Sequence, residues 1–296
     1  MYVVAGGFLM AVADIFIKKL LNAQINLFFL VAIREILGFF LLLLYVCVSA
    51  PHLLKINRRA LPILIVYGIV GVGLLHFFGI WSVQKNDISI GITILYTSPL
   101  FILGFSFIRR EQVHVYEVLT ALMVLLGFAL TFQAYNAEIF LSRGTGLLVG
   151  CGAAMLFAFS TIWGQKCVRQ LNPLTVAVYG LAFGSLFWLF LGWLVDLYTW
   201  EHSVETWAQL AMVALLATLF IPILYLLGLR SISAAEGNLT ASLEAVFAVG
   251  LSCVIFKEHL ESIQWIGLGL IIGGVSYLQL RSIILNSAYT KGNLHE

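Results

Sequence analysis

Apolar residues fill this chain in long blocks that short polar clusters interrupt, and the blocks recur almost to its end. A helix needs about 20 mostly apolar residues to cross roughly 30 Å of hydrocarbon. Ten segments meet that requirement: 2–21, 27–49, 61–82, 88–108, 114–133, 145–168, 173–196, 207–229, 234–256 and 263–283. The pattern predicts an all-α polytopic membrane protein of ten transmembrane helices. The longest connections, around APHLLKINRRA and DLYTWEHSVET, are too short to hold a soluble domain. Function is therefore expected inside the membrane.

Composition agrees. Of 296 residues, 61% are hydrophobic and 10% charged, and the mean hydropathy is +1.03, whereas soluble domains carry about 25% charged residues. A net charge of +2 and the lack of any basic stretch interleaved with aromatics exclude nucleic acid as a partner. Cys47, Cys151, Cys167 and Cys253 lie in or at the ends of apolar blocks without CxxC spacing, so neither a disulfide framework nor a zinc site is expected. Glu258, His259 and Glu261 fit no metal-ligand spacing, and no cofactor or metal is expected. The first block has no basic region before it and carries Asp14, Lys18 and Lys19, so it is expected to stay in the mature protein.

Orientation follows from the lysines and arginines. With the N-terminus inside, the inner loops and tail hold Lys55, Arg58, Arg59, Arg109, Arg110, Lys166, Arg169, Arg230, Arg281 and Lys291. The outer side holds only Lys18, Lys19, Lys85, Arg143 and Lys257. The positive-inside rule places both termini in the cytoplasm.

The chain also repeats itself. A shift of 146 residues pairs Asn26 with Asn172, Gly38 with Gly184, Gly91 with Gly237 and Phe101 with Phe247. After one inserted residue, Glu111 pairs with Glu258 and Gly127 with Gly274, so each half ends on an acid followed sixteen residues later by a glycine. The expected organisation is a first five-helix repeat over 1–137, a second over 145–284 and a cytoplasmic tail over 285–296. Five is odd, so the second repeat enters the bilayer inverted, the plan of many secondary transporters.

Ten spans, the five-plus-five duplication, GITILYTSPLFILGFSFIRRE and its counterpart GNLTASLEAVFAVGLSCVIFKE resemble the EamA-type branch of the drug/metabolite transporter superfamily. In that family a proline is followed by small and apolar residues and then a glutamate. Pro99 and Glu111 match in the first half. Glu258 matches in the second, where Ala245 stands in place of the proline. The resemblance implies a transporter fold in a bacterial inner (plasma) membrane. It also implies that the spans carrying Tyr96, Trp163 and Tyr225 line a central cavity, where each aromatic ring either meets substrate or packs against core and lipid.

Glu244 sits near the middle of its span. An acid at a helix centre costs about 2.5–3.5 kcal/mol on insertion, against about 0.3–0.6 kcal/mol gained for each Leu, Ile, Phe or Val. The nine such residues of that span offset it by roughly 3–5 kcal/mol. The acid is tolerable only when turned from lipid, and Gly237, Thr240, Ala241 and Ala248 on its face are small. Asp14, Arg34, Glu35 and His76 each lie about 10 Å inside the outer ends of their spans, at a shared depth. The repeat pairs these charges with Ser160, Gly180, Leu181 and Pro222, so a symmetric frame is expected to hold an asymmetric polar site. Two readings stand for Arg34: an ion pair with Asp14 or Glu35 that fixes packing, or part of a binding site. Glu244 is either a neutral acid bonded to hydroxyls or a site for a proton or an amine.

A secondary transporter of a small organic metabolite, exporting amino acids or amines by alternating access, accounts for these features best. No GxxxxGK[ST] loop is present, so a proton gradient or solute exchange would drive it. An intramembrane enzyme and a channel are the alternatives. The first lacks a GxSxG or HExxH pattern, and the second fits poorly with two inverted halves around a charged interior. Pairing into a homodimer is left open by the sequence.

Overall fold

The computed structural model describes residues 2–85, 94–110, 114–131, 144–195, 202–256, 261–274 and 276–277. Glu111, Arg143, Asp196, Glu201, Lys257, Glu258, His259, Gly91, Arg281, Lys291 and the tail 285–296 lie outside the described residues. No β-strand occurs among the described residues, as expected where hydrocarbon offers the backbone no hydrogen-bond partners. The helices are α1 (Tyr2–Asn22), α2 (Leu27–Ser49), α3 (Arg58–Lys85), α4 (Ser98–Ile108), α5 (Val115–Thr131) and α6 (Gly144–Val168). They continue with α7 (Pro173–Val195), α8 (Val204–Leu229), α9 (Ala234–Ala241), α10 (Leu243–Phe256) and α11 (Ser262–Gly274). Five of them, α2, α3, α6, α7 and α8, are long and apolar enough to cross a membrane unaided.

Several sparse sequence matches acquire a physical meaning. Asn26 and Asn172 both cap a helix, each side chain accepting from a backbone N–H two residues on, at 2.9 Å. The cap satisfies an amide that the first turn leaves without a partner. Both α3 and α8 pass through π-helical turns, at Tyr67–Leu74 and Ala214–Phe220, which lie at nearly the same offset as the matched residues. Such turns concentrate at functional sites.

The block 234–256, read from the sequence as one span, is two helices. At the break, the Ser242 hydroxyl donates to the Leu239 carbonyl at 2.6 Å, taking an acceptor the helix ladder would use. Before α4, Thr97 does the same to the Ile94 carbonyl at 2.7 Å. Ala245 in place of a proline therefore does not keep the helix continuous, because a hydroxyl interrupts it three residues earlier.

Glycines set the closest approaches. A Cβ on Gly38 of α2 would lie 2.5 Å from the Thr218 methyl in the π-helical turn of α8. A Cβ on Gly184 of α7 would lie 3.2 Å from the Gly68 carbonyl in the matching turn of α3. In α5 and α11, Gly127 faces Gly267 and Ile271, and Gly274 faces Met123, Val124 and Thr120. As α5 advances from 120 to 127 its partner recedes from 274 to 267, so these two helices run antiparallel. A main apolar core draws on α1, α2, α5, α8 and α10, and a second one ties α2, α3, α6, α7 and α8 together.

Candidate functional site

A cavity of about 160 Å³ lies among α1, α2, α3, α6, α7, α8 and α10. On the same measure a single water needs roughly 10–15 Å³, so there is room for a small organic molecule. Its wall is mostly apolar, with Ile17, Val72, Leu75, Ile80, Phe157 and Leu181 among the lining residues. Into it come Asp14 from α1, Arg34 from α2, His76 from α3, Tyr96 from the turn before α4, Tyr225 from α8 and Glu244 from α10. Six of the eight residues singled out from the sequence thus meet at one place. Glu35 and Trp163 are not among the lining residues.

Glu244 occupies the first turn of α10, just past the Ser242 break. Gly7 lets α1 close on it: a Cβ there would lie 3.2 Å from the Glu244 backbone nitrogen. The Tyr96 hydroxyl donates to Glu244 Oε2 at 2.6 Å, and the Asp14 and Glu244 side chains are close neighbours on the cavity wall. Two carboxylates placed side by side repel unless a proton lies between them. This acid pair joins the first helix to the tenth.

Glu35 stands behind His76 and is fully buried. Its Oε1 meets His76 Nδ1 at 2.9 Å, which fixes the ring and leaves the other nitrogen for the cavity side. Arg34, also fully buried, donates from Nε to Thr218 Oγ1 at 3.1 Å. Of the two readings of Arg34, the ion pair with Asp14 or Glu35 is not formed: among the described residues the one acid–base contact within 4.0 Å is His76 with Glu35. Arg34 Nη2 and Asp14 Oδ2 are both buried without a hydrogen-bond partner. Trp163 packs elsewhere, its ring centroid 4.9 Å from that of Phe159 and 4.9 Å from the Lys166 ammonium.

The structure adds residues that sequence reading passed over. A chain of hydrogen bonds runs from Ser98 to Asn238 at 2.6 Å, from Asn238 to Thr161 at 3.2 Å and between Thr161 and Tyr225 at 2.8 Å. It joins α4, α9, α6 and α8 beside the cavity. The signal for it was present but faint, since Ser98 is the position that the repeat pairs with Glu244.

A protein that gathers opposite charges from separate apolar helices around a small cavity, with π-helical turns that contribute to its wall, has the makings of a membrane carrier. The chain matches the EamA-like transporter family twice, over residues 1–133 and 144–279, and it belongs to that family. It is 23% identical over 273 residues to the uncharacterized transporter YetK of Bacillus subtilis (strain 168), covering 89% of this chain and 81% of that protein. An uncharacterized transporter of Archaeoglobus fulgidus is 22% identical over 211 residues, covering 70% of this chain and 74% of that one. A solved crystal structure with 18% identity superposes with a TM-score of 0.72 over 96% of both chains, which shows the fold. The protein is an integral membrane protein of a transporter family, and the family and its relatives point to transport rather than to enzymatic catalysis.

Proposed function

We propose that this chain is a secondary transporter that exports a small organic metabolite, an amino acid or an amine, across a bacterial inner membrane by alternating access, with a proton as the coupling ion. The carrying observation is the acid pair Asp14 and Glu244, side by side on the wall of a cavity the size of a small metabolite, with the Tyr96 hydroxyl bonded to Glu244. A shared proton at that place can leave when the cavity opens to one side and be replaced from the other, while a cationic group takes its seat in between.

Ten spans in two inverted repeats form the frame, with α9 and α10 making one broken span and both termini cytoplasmic. The double family match supports the duplication. So do the paired caps, the paired π-helical turns, the paired breaks at Thr97 and Ser242, and the reciprocal glycine contacts of α2 with α8 and α7 with α3. The antiparallel run of α5 against α11 supports inversion. Reciprocal contacts of this kind are what a two-fold axis generates. Rocking one repeat against the other would open the cavity first to one side and then to the other.

The test is transport by the purified protein in liposomes under an imposed proton gradient, across a panel of amino acids and amines. Wild type should accumulate at least one solute against its gradient, and E244Q and D14N should each lose that accumulation. Gradient-driven accumulation that E244Q leaves intact would overturn the coupling role, and flux that never saturates would point to a channel instead.

A further inference from the structure

Arg34 is the strongest unexplained group in the molecule. It is a full positive charge placed well inside a span, 1% exposed, where an unpaired charge is costly and marks function. Two buried acids share its neighbourhood, yet neither closes an ion pair with it. Its one hydrogen bond among the described residues is through Nε, the nitrogen nearest the stem, to Thr218 Oγ1. That bond holds the stem side of the guanidinium, and among the described residues no acceptor meets the terminal nitrogens, which form the flat fork that matches a carboxylate. Nη2 is buried without any partner, and Arg34 belongs to the cavity wall.

The holding device is built with care. Thr218 lies in the π-helical turn of α8, where the helix widens, and Gly38, one turn beyond Arg34 on α2, lets the Thr218 methyl come within what would be 2.5 Å of a side chain. On the same cavity wall, Asp14 Oδ2 is likewise buried and accepts no hydrogen bond. A buried guanidinium nitrogen and a buried acid oxygen, neither with a hydrogen-bond partner, therefore share the wall of one small chamber without forming an ion pair. A solute with an anionic and a cationic group close together would complete both.

We propose that Arg34, aimed by Thr218, binds a carboxylate on the transported solute, so that carboxylate-bearing zwitterions are accepted and the corresponding simple amines are not. This rests on the transporter reading above and narrows it. The apolar wall formed by Leu75, Ile80 and Phe157 takes the rest of the solute.

The experiment compares solutes that differ only in the carboxylate. Thermal unfolding of the detergent-purified full chain is measured with amino acids having aliphatic or aromatic side chains, and with the amines that result from deleting the carboxylate, such as leucine against isopentylamine. Only ligands of the folded state raise the melting temperature. At least one amino acid should stabilise the wild type, its amine should not at equal concentration, and R34Q should lose the effect. R34K, which keeps the charge but loses the fork, and T218V, which keeps the shape but loses the acceptor, should each bind about tenfold to a hundredfold more weakly, with T218S close to wild type. Stabilisation by amines equal to that by amino acids, an unchanged response in R34K, or no response to any carboxylate would overturn the assignment. The comparison of solutes on wild type decides the matter even where R34Q does not fold. Amine transport in liposomes with no dependence on Arg34 would defeat this inference and leave the transporter reading standing. Carboxylate binding through Arg34 with no flux would do the reverse.

Discussion

The contact between Gly38 and Thr218 gives the sharpest test of how the frame holds the site. In G38A the new Cβ would sit 2.5 Å from Thr218 Cγ2 and 2.8 Å from its Cβ. Carbon atoms rest at about 3.5–4.0 Å, so α2 and α8 must part by roughly 1 Å. Threonine has a stiff χ1 and no flexible end that could swing aside. Overpacking of this kind costs about 1–3 kcal/mol. The same displacement would stretch the Arg34–Thr218 bond from 3.1 Å past the roughly 3.2 Å at which such bonds weaken. The assay is reversible unfolding of wild type, G38A, T218S and the double variant in detergent. Serine removes the clashing methyl and keeps the hydroxyl, so the double variant should recover part of the loss, a favourable coupling of about 0.5–3 kcal/mol. Recovery stays partial because the Cβ contact remains. Strict additivity of the two changes, or a G38A protein as stable as wild type, would refute the reasoning.

Three further outcomes follow from single contacts. Y96F removes the donor to Glu244 while leaving the ring stacked on Phe128; a hydrogen bond to an ionisable partner is worth about 1.5–3 kcal/mol, so gradient-driven flux in liposomes should fall about tenfold or more, and an unchanged rate would exclude a role for that bond. N238L strands the buried Ser98 hydroxyl and removes the acceptor–donor bridge to Thr161, and should destabilise the protein by about 1–3 kcal/mol in the same unfolding assay. G127L drives a side chain into the Gly267 carbonyl, 2.7 Å from the ideal Cβ; backbone cannot yield as a side-chain tip can, so α5 and α11 should separate and size-exclusion profiles should lose the single sharp species, whereas a wild-type profile would contradict the antiparallel contact.

How much of this was legible beforehand depended on whether a feature leaves its mark in residue type or only in geometry. The five long apolar helices were legible because lipid demands length and apolarity, and these are properties of composition. Asp14, Arg34, His76 and Glu244 were legible as a group because a charge in a span has few uses. What could not be read was pairing. Arg34 sits beside Glu35 in sequence, and simple charge matching assigns them to each other; in the fold their side chains diverge, and Glu35 takes His76 while Arg34 takes Thr218. A neutral threonine on a helix 184 residues away carries no sign of this in its identity. Trp163 illustrates the opposite error, since a ring on a cavity-lining helix turns away from the cavity when one turn faces Phe159 and Lys166. The Ser242 break was hidden for a related reason, because a serine within a helix is ordinary until its hydroxyl is seen to bond backwards.

The placement of the charges also explains why a duplicated frame would tolerate so little duplicated chemistry. A mobile interface between two like halves needs matched surfaces, and glycines, caps and hydroxyl breaks are the features that recur at matched positions here. A binding site for one solute needs unlike groups facing each other, and an acid paired with its own copy would only repel. Where the repeat sets Ser98 opposite Glu244, the two positions therefore divide the labour. Glu244 lies at the cavity beside Asp14, and Ser98 anchors Asn238 of α9, the helix just before the one that carries Glu244. Moving the acid to the other half should not preserve the site, because S98E would bury a second carboxyl against the amide oxygen of Asn238 rather than present it to the cavity. The double variant S98E/E244S should fail to transport in liposomes even where it folds, and recovery of wild-type flux would show that the two halves are interchangeable after all.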